Sequence, residues 1–462
     1  RIGRDLGAVL ALNTAGGIGG TFVTGFVLVP AFGLVRTLGI LAVAAAVLGA
    51  VAVARGGDFR KPALACAATL VVVVGIAAVQ VPTDLLSRQL TTARGGTLVF
   101  YEETASGAVA VLDEQGSSVA FRRLYINGIS NSGDGMPSLR YMRLQALLPL
   151  IIHRGEPRSA LVIGLGTGIT AGALLAYDAL DRRVVAELLP AVVKAAPNFS
   201  GNYGVTNDSR VTLRLVDGRR DLLRRADRYD LITLEPPPPS AAGVVNLYSR
   251  DFYALARQRL NPDGLVAQWL PIPTQNDEDT RSLVRSFLDV FPHATLWTTE
   301  LHEMLLVGSV EPIELDAPAI VERFERPGVR AVLREVGVAS PAALLATYVT
   351  DRTGLETYAR GAPPTTDDRP RIEYAAGLRR GEFARVLPRL LALRTDPEIV
   401  GADQPLIADV ATERRRLMTF YQAGLAAYSG ERELWAESMR QVATEDGSNP
   451  YYAWFLAGPS GD

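Results

Sequence analysis

The sequence predicts an α/β protein in which a doubly wound, largely parallel sheet follows a set of apolar helices. Three observations predict it. Short apolar runs alternate with helical segments over residues 159–310, the pattern of a parallel sheet covered by helices on both faces. A Gly164-Leu-Gly-Thr-Gly168 turn joins the first of these runs to the helix after it. The first 82 residues carry three apolar stretches free of charged side chains, Leu6–Val29, Leu38–Ala54 and Ala63–Val81.

Each apolar stretch is near the roughly 17–25 residues needed to cross the hydrocarbon core as a helix. Residues 1–82 are therefore expected to form three transmembrane helices, making the protein a multi-pass membrane protein in contact with lipid. A signal peptide would be one shorter run with a cleavage site. Gly16 and Gly20 form a GxxxG pair, which lets helix backbones approach closely in lipid. The chain opens on Arg1 rather than Met, so helices upstream are expected partners of that face. Arg1, Arg4, Arg55, Arg60 and Lys61 outnumber Arg36, Arg88 and Arg94, which by the positive-inside rule favours an external catalytic domain. That excess is small, and the domain is expected on the cytoplasmic side.

Composition narrows the rest. A chain of 462 residues exceeds one ordinary core. The pattern divides it into 1–82, a small β-sheet region at 83–150, an α/β domain at 151–310, an extension at 311–400, and a helical, tetratricopeptide-like region at 401–462. With 48% hydrophobic and 21% charged residues, wholesale disorder is excluded. A net charge of −2 gives no basic excess for nucleic acid. The single Cys66 excludes a disulfide framework, and His153, His293 and His302 lack ligand spacing, so no metal is expected.

Along the chain, Thr97–Tyr101, Ala108–Leu112 and Ser118–Arg122 alternate as strands, with turns at Gly107 and Gly116. Leu139–Ile152 has the spacing of an amphipathic helix. Ala160–Gly164, Val184–Glu187, Val211–Val216, Tyr229–Leu234 and Gly264–Gln268 follow as sheet strands, with Ala294–Trp297 and Met304–Val307 as an antiparallel edge. Ala423, Ala426, Ala427 and Tyr428 before Gly430 mark a helix of a C-terminal pair.

The candidate site lies at the ends of these strands. Gly164, Gly166 and Gly168 let the backbone approach a ligand at the strand-to-helix turn. Glu187 ends the second strand, where a carboxylate can accept both ribose hydroxyls. Asp217-Gly218 follows the third, where a carboxylate can accept an adenine amino group. Glu235 follows the fourth, at the edge where open α/β sheets bind ligands. Position 169 is Ile rather than the glycine of a dinucleotide turn. With Asp217 present, an S-adenosyl nucleoside is favoured over NAD, on a Rossmann-like, class I methyltransferase-like sheet.

Residues 97–271 resemble the spermidine synthase family of polyamine aminopropyltransferases. The resemblance rests on Tyr101-Glu-Glu103, Gly164–Gly168, Ala186-Glu-Leu-Leu-Pro190, Val216-Asp-Gly218, Tyr229-Asp-Leu-Ile232, Leu247–Tyr253 and Pro262–Gln268. Asn13-Thr14-Ala15-Gly16 and Gly25-Phe26 resemble the membrane part of its fused, transporter-like branch. The resemblance implies a small β-sheet domain before the nucleoside-binding fold, decarboxylated S-adenosylmethionine as donor, a small-molecule amine or related acceptor, and a homodimer. It makes Glu235 the catalytic candidate, Gly164, Gly166, Thr167, Gly168, Glu187, Asp217 and Gly218 the nucleoside-binding set, and Tyr141, Asn131 and Tyr248 acceptor-binding candidates.

The segment Glu235-Pro-Pro-Pro238 departs from the family's Asp-Ser-Ser-Asp: Glu235 keeps the first carboxylate and Pro238 replaces the second. Arg143 and Thr167 also stand where the family has acids. The sequence thus predicts an acid-poor pocket that has gained an arginine and holds a dicationic amine badly. Three functions stay open: an aminopropyltransferase with an altered acceptor, an S-adenosylmethionine-dependent methyltransferase, and a non-catalytic nucleoside-binding membrane module.

Overall fold

A computed structural model describes residues 2–56, 61–115, 120–375 and 377–457. Arg60, the expected turn at Gly116 and the start of the expected strand at Ser118 lie outside the described residues. The chain divides into two compact units, Arg1–Glu114 with Leu124–Ser130, and Gln115–Arg123 with Asn131–Asp462.

In the first unit, α1 (Ile2–Val23) continues through a π-helical turn at Thr24–Leu28 into α2 (Val29–Arg55), and α3 spans Lys61–Gln80. Gly33 breaks the helix inside α2, so with α3 the described residues hold three apolar helical segments, within two runs each long and apolar enough to cross a membrane, Gly3–Arg55 and Lys61–Gln80. A lone arginine favours helix, and Pro30 falls in the first turn of α2, where its missing N–H costs little. The break at Gly33 has φ 76° and ψ 169°. The apolar side chains of the longer run are widely exposed: Leu12 73%, Phe22 61%. A surface of that kind marks contact with lipid or protein.

The helix α4 (Leu85–Arg94) leads into β1 (Thr97–Thr104), which pairs antiparallel with β2 (Gly107–Gln115). With β3 (Ala120–Ile126) and β4 (Ile129–Gly133) they form a four-stranded sheet in the order β1-β2-β3-β4. Asn127 and Gly128 both have positive φ, 52° and 77°, the requirement of a tight hairpin turn.

The second unit holds α5 (Met136–Ile151), β5 (Ser159–Ile163), α6 (Ile169–Ala173), β6 (Arg182–Glu187), α7 (Pro190–Ala195), β7 (Val211–Leu215) and α8 (Gly218–Arg224). It continues with β8 (Tyr229–Leu234), α9 (Arg250–Gln258), β9 (Leu260–Pro271), α10 (Asp277–Leu288), β10 (His293–Glu300) and β11 (Glu303–Ser309). The strand Tyr348–Asp351 and then β10, β11, β9, β8, β5, β6 and β7 make one eight-stranded sheet in that order. β5 pairs parallel with both β6 and β8. Chain order reverses there, and the crevice outside the carboxyl end of β5 is where such sheets bind ligands. β11 pairs antiparallel with β9 and β10, the expected edge. Buried side chains such as Leu161, Val184, Ile232, Val266, Phe252 and Phe287 form the core.

The expected amphipathic helix is α5, and the structure corrects its character. Every residue from Arg140 to Ile151 is buried. One side meets the sheet, while helices at Ala317–Phe324, Pro327–Arg334 and Pro450–Leu456 pack on it as well. Arg140 survives burial by donating to the carbonyls of Thr299 at 3.1 Å and Val336 at 2.7 Å, with its guanidinium 4.3 Å over the Tyr451 ring. Near the C-terminus, Gln404–Ser429 and Arg432–Asp446 form a helix pair, closed at Gly430 with φ 77°.

Candidate active site

The turn after β5 is built on left-handed backbone. Gly164, Gly166 and Gly168 have φ of 91°, 53° and 82°, a region that disfavours side chains. A Cβ on Gly166 would come within 3.3 Å of Ser132 Oγ and 3.6 Å of Asn131 Oδ1. Asn131 thereby stands beside the glycine turn.

Glu187 at the end of β6 is buried and holds this turn. Its carboxylate accepts from the amides of Leu165 at 2.8 Å and Leu189 at 2.7 Å. Burial pushes its carboxyl pKa up, and the surrounding backbone amides oppose that in part. Asp217 caps α8, accepting from the Arg220 amide at 2.7 Å. Gly218 beside it is packed so tightly that a Cβ would lie 2.4 Å from Ile163 Cγ2. Thr167 is fully buried, with its hydroxyl on Met142 Sδ at 3.4 Å and its carbonyl accepting from Asn202. The Thr167 side chain thus packs on Met142 and supports the turn.

Glu235 sits just past β8. Tyr141 Oη donates to its Oε1 at 2.5 Å, and Thr170 Oγ1 to its Oε2 at 3.2 Å. Burial pushes the carboxyl up to about 7, with both hydroxyls acting in the opposite direction. The Tyr141 ring stacks on Trp269 at a centroid separation of 6.3 Å and an angle of 24°. Tyr248 is fully buried, and its hydroxyl donates to the Pro237 carbonyl at 3.5 Å. It therefore steadies the proline segment behind Glu235.

Two expectations about this pocket are corrected. Arg143 does not enter it. One turn of α5 carries Tyr141 toward Glu235 and turns Arg143 away, where it pairs with Glu335 at 2.8 Å and donates to the Val332 carbonyl at 2.9 Å. Nor is the pocket poor in acids. Glu303, on β11, was missed because its strand is adjacent only in space and its chain neighbourhood carries no motif. Strand pairing sets Glu303 opposite Pro271 and Leu305 opposite Trp269. Residues two apart share a sheet face, so Glu303 lies on the Trp269 face. Burial raises the pKa of the Tyr141 phenol first, and the charges of Glu235 and Glu303 raise it further.

Residues 139–307 match the family described as spermine/spermidine synthase domain. Curated polyamine aminopropyltransferases are similar to this chain. That of Nitrosomonas europaea is 32% identical over 195 residues, 39% of this chain and 58% of the relative. That of Moorella thermoacetica is 27% identical over 201 residues, 41% of this chain and 70% of the relative. The crystal structure of spermidine synthase from Thermotoga maritima aligns with a TM-score of 0.46 at 17% identity, covering 57% of this chain and 87% of that one. The matched part is thus a little over half the length of the Nitrosomonas protein.

Proposed function

We propose that this chain, whose residues 139–307 are a spermine/spermidine synthase domain, transfers the aminopropyl group of decarboxylated S-adenosylmethionine to a small amine. The nitrogen lone pair attacks the aminopropyl carbon bonded to the sulfonium. The new C–N bond forms as C–S breaks, sulfur keeps the bonding pair, and methylthioadenosine leaves as a neutral thioether. The nitrogen must shed a proton, and Glu235 receives it. The observation that carries this role is the desolvated Glu235 carboxyl, pushed up to about 7 and oriented by Tyr141 and Thr170. A base of that pKa is matched to proton transfer near neutral pH.

The glycine turn would cradle the nucleoside, with Glu187 accepting the ribose hydroxyls and Asp217 the adenine amino group. Two oxygens of Glu187 already hold the turn, and each keeps a lone pair for a hydroxyl. The apolar helices within residues 2–80 would tether the domain to a membrane, with the catalytic unit on the cytoplasmic side where the donor is made.

The test is incubation of the full chain with decarboxylated S-adenosylmethionine and a panel of amines, with products read by mass spectrometry. Aminopropylated amine and methylthioadenosine in equal amounts are expected. Methylated product from S-adenosylmethionine, with none from the decarboxylated donor, would replace this reading with a methyltransferase.

A further inference from the structure

Glu303 is a half-buried acid that the proton-transfer chemistry does not use. Its buried Oε2 meets no donor at full hydrogen-bonding geometry among the described residues, and the Trp269 Nε1–H on the same sheet face, itself without another partner, is the donor beside it. Among the described ion pairs none involves Glu303. Glu300, its cross-strand partner at the end of β10, contrasts with it: its carboxylate is met by His302 at 3.1 Å and by the Tyr451 hydroxyl at 3.3 Å. An ionised carboxylate is not left buried and unpaired without cost. Burial raises the Glu303 carboxyl, the neighbouring Glu300 and Glu235 charges raise it further, and the nearby Trp269 indole opposes this in part.

The surroundings indicate what would complete it. Trp269 stacks on Tyr141, and Tyr141 donates to Glu235. The aromatic pair therefore runs between two carboxylates that repel each other and that no described cation neutralises. Aromatic faces attract ammonium groups, and an alkyl chain packs on them. A ligand with a cationic end, an apolar chain and a second nitrogen matches acid, aromatic wall and acid in turn.

Resting on the aminopropyl-transfer reading above, we infer that Glu303 is a specificity-determining residue that binds the distal ammonium of a diamine acceptor while the nitrogen to be alkylated faces Glu235. The departure at Pro238 is then compensated from a neighbouring strand, by Glu303 on β11. The alternative is that Glu303 stays a protonated acid of purely structural use.

Glu303→Gln separates the two, because glutamine mimics the protonated acid and removes only the charge. The full chain, with methylthioadenosine bound, is titrated calorimetrically with 1,4-diaminobutane and with n-butylamine, and turnover is followed for both. Glu303→Gln is expected to weaken diaminobutane binding and raise its KM by at least about tenfold, with kcat within a few-fold. Butylamine should be unaffected, and Glu303→Asp should restore part of the diamine binding. Thermal unfolding checks that each variant is folded. Unchanged diaminobutane affinity in a folded Glu303→Gln variant overturns the inference, as does equal loss for both amines. Binding of diaminobutane that depends on Glu303 without any transfer leaves the site standing and defeats the transfer reading. Transfer that ignores Glu303 does the reverse, and wild-type protein that neither binds nor alkylates diaminobutane defeats the inference outright.

Discussion

The hydroxyl of Tyr141 donates to Oε1 of Glu235 over 2.5 Å, joining α5 to the end of β8 across 94 positions of chain. This bond stabilises the ionised carboxylate and so opposes the burial that raises it. Tyr141→Phe removes the donor and leaves the ring. The Glu235 pKa should then rise above 7, by roughly one unit for a hydrogen bond to a charged group. The acid limb of the pH–turnover profile should move up with it. A profile that stays in place would dissociate this pair from the proton step.

Glu235→Gln should lower turnover by about 10²–10⁴-fold while leaving methylthioadenosine affinity nearly unchanged. Single-turnover kinetics beside calorimetry separate the two effects. Equal turnover would remove Glu235 from the mechanism.

The same variant should change the pH dependence of stability. Folding raises the Glu235 carboxyl from its ordinary 4.5 to about 7, so the native state binds the extra proton between those values. Stability from this group is full below pH 4.5 and is lost as pH rises to 7, a span on the order of 3 kcal/mol. Denaturant titrations should show Glu235→Gln losing that falling slope and becoming more stable than the parent above pH 7.

Glu187→Ala removes the acceptor for the Leu165 and Leu189 amides as well as the proposed ribose contact. Methylthioadenosine binding should weaken by roughly 1–3 kcal/mol, and stability should fall by a similar amount as buried amides lose their partner. Calorimetric titration and thermal unfolding read the two losses independently.

Gly218→Ala would set a Cβ 2.4 Å from Ile163 Cγ2. Either the sheet or the start of α8 must shift, costing about 1–3 kcal/mol. The lowered melting temperature should come with weaker nucleoside binding, since Asp217 caps that helix.

Sedimentation tests the apolar helices. The full chain should pellet with membranes in the absence of detergent, and residues 83–462 should remain in the aqueous fraction. A full chain that stays soluble would refute the membrane reading.

The sequence by itself determined the α/β pattern, the glycine turn and the acids that end β6 and β8. These are local: each strand is a short apolar run, and each site residue lies within a few positions of a strand end. The hairpin edge of β10 and β11 was legible for the same reason. The break between the first two apolar helices was legible as well, and the structure places it at Gly33, a glycine on positive-φ backbone. Tertiary structure alone decided which side of α5 faces the pocket. Spacing places Tyr141 and Arg143 two residues apart, and only packing by both the sheet and the C-terminal helices sends one to Glu235 and the other to Glu335. It also decided the acid content of the site. Glu303 reaches the Trp269 face through antiparallel pairing of β11 with β9, and strand pairing is a contact between distant segments that no single stretch of chain encodes.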